Sequence, residues 1–246
     1  MTVEIYTRSV LVNAGDLEIA AYLAQPVATG SYPAVVVLQE IFGVNMHIRE
    51  VTERIARLGY VAIAPALFQR QAPNFEAGYT DEAMVTGRSY ASQTTASQLL
   101  SDISATINYL KTLDSVKKER FGCIGFCYGG HVAYLAATLS EIATTASFYG
   151  AGIAMRTIGD GAPTITCTQD IKGTLYAFFG MADASIPVEQ VDEIAAELQK
   201  YHIPHRVFRY DGADHGFFCD HRASYNSLAA IDAWEQVKYL LQTLTT

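Results

Sequence analysis

The feature that most restricts this chain is a repeated exchange between two periodicities. Strand-length runs recur along it, the clearest the continuous β-branched PAVVVLQ at 33–39, followed by YVAIAPAL at 60–67, RFGCIGF at 120–126, ATTASFYG at 143–150, TLYAFFG at 174–180 and HRVFRY at 205–210. Helical spacing fills the gaps. Ile48, Val51, Ile55 and Leu58 share one face before Gly59, and Leu99, Ile103, Ile107 and Leu110 share another. GGHVAYLAATLS, Pro187 to Tyr201, and a closing helix with Leu228, Ile231, Trp234, Val237, Leu241 and Leu244 as its buried face continue the pattern. A run that is apolar at every position suits a strand covered on both sides, and strands alternating with helices of this length give βαβ units. Ahead of them, VEIYTRSV and LEIAAYLAQP flank the turn signal NAGD and are predicted to pair antiparallel. The expectation is an α/β chain with a mostly parallel, doubly wound sheet of about eight strands and helices on both faces.

The alternation runs unbroken from end to end, with no repeat, low-complexity tract or linker-like shift, so residues 1–246 are expected to form one domain. Half of the residues are hydrophobic and the formal net charge is -8. An acidic surface without a basic arm argues against nucleic acid and anionic lipid as partners. No apolar run approaches the roughly 18 residues of a membrane span, and MTVEIYTRSV lacks the order of a signal peptide. A cytoplasmic protein, monomeric or a small homo-oligomer, is expected. The cysteines at 123, 127, 167 and 219 show no CxxC pairing and no zinc-type clustering with histidine, so neither disulfides nor a metal or other cofactor is predicted.

Chemistry concentrates where a strand gives way to a helix in FGCIGFCYGGHV, residues 121–132. Such a context fits a nucleophile elbow, a sharp turn that holds one side chain clear of the backbone. Gly125 and Gly129, two residues either side of Cys127, stand where side-chain bulk would block the turn. The amino end of the new helix favours negative charge on the Cys127 sulfur and, through the Tyr128 N–H, on an oxyanion beside it. A buried cysteine in an ordinary tight turn has the same local appearance.

Residues further down the chain bear on that choice. On sheets of this type an acid comes after one late strand and a histidine after the last. Asp183 stands after TLYAFFG, and His215 after HRVFRY. Asp211 and Asp214 are rival acids. Asp183 is preferred because it comes from a different strand and so approaches the imidazole from the side.

With QEIFGVN at 39–45, GFCYGG at 125–130, GMAD at 180–183 and DHGF at 214–217, the chain resembles the dienelactone hydrolase family, a cysteine branch of the α/β-hydrolases, over nearly its whole length. That resemblance implies an α/β-hydrolase fold and a triad of Cys127, Asp183 and His215. It implies an oxyanion hole from the Ile41 and Tyr128 N–H groups, and a Glu40 that keeps the thiol protonated until substrate displaces it. The family's best-known members grip a substrate carboxylate with two arginines, one of them four residues after the histidine. Cys219 occupies that position here, leaving Arg88 and Arg222 as candidates, with Phe217 and Tyr149 as further wall residues.

Sulfur itself narrows the substrate. A tetrahedral intermediate formed by a thiolate on an alkyl ester expels sulfur more readily than alkoxide, whereas enol lactones, aryl esters and thioesters carry better leaving groups. The expected partner is therefore a small ester or lactone. A broad carboxylesterase or thioesterase on the same fold is the alternative, and a non-catalytic binding or redox-sensing module is the alternative of another class.

Overall fold

The computed structural model describes residues 3–245; Met1, Thr2 and Thr246, which the one-domain expectation includes, lie outside the described residues. Eight strands form one sheet: β1 (Ile5–Asn13), β2 (Glu18–Pro26), β3 (Tyr32–Leu38), β4 (Val61–Pro65), β5 (Val116–Phe126), β6 (Ile142–Phe148), β7 (Thr174–Gly180) and β8 (His205–Tyr210). Their order is β1-β2-β4-β3-β5-β6-β7-β8. β1 pairs antiparallel with β2, and β2 antiparallel with β4, while every pairing from β4 to β8 is parallel. The helices are α1 (Met46–Ala56), α2 (Asp81–Ala91), α3 (Ala96–Lys111), α4 (Tyr128–Ala136), α5 (Val188–Lys200) and α6 (Ser227–Gln242), with a 3₁₀ segment at Thr164–Asp170. This is the expected α/β-hydrolase fold. No helix among the described residues is long and apolar enough to cross a membrane.

The all-apolar strands reflect two separate cores. Along β3, Val35 and Val37 enter the layer with Ile48, Val51 and Ile55 of α1, while Ala34, Val36 and Leu38 enter the opposite layer with Leu99, Ile103 and Ile107 of α3. β5 divides likewise, with Ile124 and Phe126 on the first side and Phe121 and Cys123 on the second. The period of two survives, but both faces are apolar.

Three expectations need correction. In α6, Leu228 and Ile231 are 81% and 61% exposed. Val237, Leu241 and Leu244 are buried as expected, but Ala229, Ala230, Ala233 and Leu240 complete the buried face, small residues letting the helix lie close to the strands. Leu58 is exposed, since α1 ends at its C-cap Arg57 before reaching it. α4 stops at Ala136, short of Ser140. Periodicity alone also misses α2, whose only buried residue is Gly87, so it carries no apolar stripe. Its start is nevertheless marked: Thr80 accepts a hydrogen bond from the Ala83 N–H, and Asp81 and Glu82 occupy the first turn.

Candidate active site

Cys127 sits between β5 and α4 with φ 53° and ψ −116°, a conformation that non-glycine residues rarely adopt. The glycines around it explain how it is held. A Cβ on Gly125 would lie 1.9 Å from the Gly129 carbonyl oxygen, and one on Gly129 would lie 2.4 Å from the carbonyl oxygens of both Leu38 and Gln39. Strand and helix therefore touch backbone to backbone. The Cys127 N–H donates to the Phe148 carbonyl at 3.0 Å, which fixes the turn to β6.

The loops after β7 and β8 meet beside it. A Cβ on Gly180 would lie 2.3 Å from the Ala213 oxygen, and the Ala182 N–H donates to that same oxygen at 2.9 Å. This clamp brings His215 Nδ1 to 2.7 Å from Asp183 Oδ2, while Asp183 Oδ1 accepts the Ser185 N–H at 2.8 Å. Asp214 is engaged elsewhere, accepting the His215 backbone N–H. Burial disfavours charge on His215, but the Cys127 sulfur opposite, as charge and hydrogen-bond partner, together with Asp183, overcomes it and lifts the imidazole to about 10. The three residues thus form one connected group.

A cavity of about 620 Å³ opens over this group, lined by Cys127, His215, Ile41, Tyr128, Arg88 and Arg222 among others. That volume suits a small organic ligand. Neither the Ile41 nor the Tyr128 N–H has a hydrogen-bond partner among the described residues. Gly87 of α2 packs onto the Ile41 carbonyl, where a Cβ would come within 2.1 Å, so this helix positions the loop that carries one of these donors. Arg156 also lines the cavity, and no motif in the sequence marked it.

Glu40 is fully buried, and both of its carboxylate oxygens have partners. Arg222 Nη1 donates to Oε1 at 3.2 Å and the Tyr79 hydroxyl to Oε2 at 2.9 Å. Cys219, at the position where the resemblance leads one to expect arginine, donates through Sγ to the Tyr79 oxygen at 3.1 Å, and burial pushes this thiol up to about 12. Arg222 reaches the site from three residues further on, crossing over Gly216, where a Cβ would lie 2.4 Å from its Nη1. Tyr149 and Phe217 do not line the cavity. Both are fully buried, and the Tyr149 ring packs edge-on against His215 at 5.2 Å and against Phe217 at 5.4 Å, so Tyr149 backs the imidazole and Phe217 packs against Tyr149.

Residues 19–245 match the model of the family described as the dienelactone hydrolase family. A Synechocystis protein provisionally named a carboxymethylenebutenolidase is 58% identical over 243 residues, which is 99% of this chain and 99% of that protein. A Methylorubrum extorquens protein with the same provisional name is 31% identical over 229 residues, covering 91% of this chain and 76% of its own. The crystal structure of a protein from Klebsiella pneumoniae, provisionally described as a dienelactone hydrolase, superposes with a TM-score of 0.89 at 28% identity, covering 97% of this chain and 99% of that one.

Proposed function

The chain belongs to the dienelactone hydrolase family, and from that premise we propose that it opens an enol lactone or a similarly activated ester bearing a carboxylate, with Cys127 as nucleophile. The observation that carries this reading is that His215, hydrogen-bonded to Asp183, lines the same cavity as Cys127. Attack by the Cys127 sulfur on the acyl carbon places the oxyanion toward the Ile41 and Tyr128 N–H groups. Collapse releases the enolate or alkoxide, which takes a proton from His215 Nε2.

The cause of the raised His215 pKa then explains the second half of the cycle. Once sulfur is acylated it bears no charge, so the influence that held the proton on the imidazole is gone and burial favours the neutral ring. Neutral His215, oriented by Asp183, takes a proton from water as the water attacks the thioester, and the thiol is regenerated. Arg88 and Arg222 face the same cavity as the sulfur and supply positive charge for a substrate carboxylate. When such a carboxylate takes Arg222, Glu40 loses one of its two partners and can shift, which is the displacement by substrate that the family resemblance implies. Four unpaired cysteines favour a reducing, cytoplasmic setting for this chemistry, and one domain suffices for it.

The test compares a carboxylate-bearing enol lactone, an aryl acetate and a thioester, using wild type and Cys127→Ala. Cys127→Ala should lower kcat about 10⁴-fold on the preferred substrate. In an NMR titration His215 should drop from about 10 in wild type toward or below its ordinary value in the variant, since its main charged partner is gone. Equal rates for variant and wild type would overturn the nucleophile assignment; a thioester or aryl acetate turned over better than the lactone would move the assignment to a thioesterase or a broad esterase.

A further inference from the structure

Outside the cavity that holds Cys127, a second set of ligating side chains meets. His47 and Glu50 lie three residues apart in α1 and share a face, and Asp220 joins them from the segment after His215. One ligand atom from each, a ring nitrogen of His47 and a carboxylate oxygen of each acid, all lie within 4.8 Å of one another. His47 is only 3% exposed, and its Nε2 is buried without a hydrogen-bond partner among the described residues, a costly state for a polar atom. Its ring is held between Phe126 and Phe218, with centroids at 5.6 and 6.2 Å. A fourth donor stands at the rim: His221 Nε2 lies 2.7 Å from Glu50 Oε2, and its ring meets His47 edge-on at 6.4 Å. The nearby arginine, Arg54, lies over the Trp234 ring at 4.2 Å and forms no ion pair with either acid among the described residues, whereas His221 reaches both, at 2.7 Å from Glu50 and 3.8 Å from Asp220.

We propose that His47, Glu50 and Asp220 form a binding site for a zinc-class divalent metal ion, with His221 or water as the fourth ligand. An imidazole with two carboxylates is a borderline donor set that suits Zn²⁺, whereas Ca²⁺ and Mg²⁺ prefer oxygen alone. Donors on one tetrahedral zinc sit roughly 3.4 Å apart, given bonds of about 2.0–2.2 Å, so the set needs only modest closure. Glu50 and Asp220, with partly exposed side chains, can supply it. The ion ties the segment containing Asp220 to α1 two residues ahead of Arg222, and so holds in place the arginine that pairs with Glu40. Ligands drawn from positions 47, 50 and 220 form no local motif, which is why cysteine and histidine spacing predicted no metal.

The experiment is calorimetric titration of the chelator-treated full chain with zinc chloride, in a Cys127→Ala background so that the thiol and His215 do not compete. One zinc per chain is expected, with a Kd of about 10 μM or tighter. Glu50→Gln and Asp220→Asn, both at accessible positions, should each weaken binding at least tenfold and abolish the rise in Tm that zinc gives the parent. Anomalous scattering at the zinc edge should place the ion beside His47. Absence of stoichiometric binding, binding that survives both substitutions, or tighter binding of calcium than of zinc would overturn the proposal.

Discussion

The two sides of the cavity are built by different physics. On one side, the elbow at Cys127 and the clamp between the loops at 180 and 213 are backbone packed on backbone, with glycines where any Cβ would collide. On the other side, Glu40, Tyr79, Cys219 and Arg222 are side chains from three separated segments joined by hydrogen bonds and one ion pair. Steric contacts of the first kind have one solution. Ion pairs of the second kind can exchange partners, and a carboxylate ligand is a ready competitor for Arg222. On the proposed mechanism, the rigid side sets the reacting atoms and the exchangeable side answers the substrate.

The sharpest way to break that division is to disturb the rigid side without touching sulfur. Asp183→Asn should leave the fold intact and lower kcat by about 10⁴-fold, because His215 loses its orienting acceptor; steady-state kinetics beside circular dichroism checks this. Gly129→Ala should cost about 4 kcal/mol in denaturant unfolding, since its Cβ meets two carbonyl oxygens that cannot move separately.

Smaller effects are expected across the cavity, and they should divide by burial. Arg222→Met leaves the fully buried Glu40 with Tyr79 as its remaining partner, so stability should fall by about 3 kcal/mol while KM for an acidic lactone rises. Arg88 is exposed and unpaired among the described residues, so Arg88→Gln should raise that KM about tenfold, some 1.4 kcal/mol, with Tm unchanged. A Tm loss in Arg88→Gln equal to that in Arg222→Met would erase the distinction. Tyr79→Phe, which removes one hydrogen bond to Glu40, should cost about 1 kcal/mol in stability.

The rigid side was legible in the sequence because its causes are local. Gly125, Cys127 and Gly129 are neighbours, and the order of Cys127, Asp183 and His215 comes from strands that are themselves readable runs. The exchangeable side was less so. Arg222 was a candidate, but nothing in the chain shows that it crosses Gly216 to pair with Glu40. Tyr79 lies in no motif of the sequence, and its hydroxyl becomes important through partners 39 and 140 residues away. Residue type places Tyr149 and Phe217 in the wall, yet both lie in the core, where Tyr149 backs His215 and Phe217 packs against Tyr149.

The order of residues is enough to dictate the alternation of strands and helices, the two-sided burial of the sheet and the tight turn at Cys127. Each depends on side-chain period or on bulk within a few residues. Only the folded chain selects which face of α6 meets the sheet, how α2 buttresses Ile41 and which partners hold Glu40. Those choices rest on close approach and charge pairing between distant segments, energies that exist only once the chain has folded.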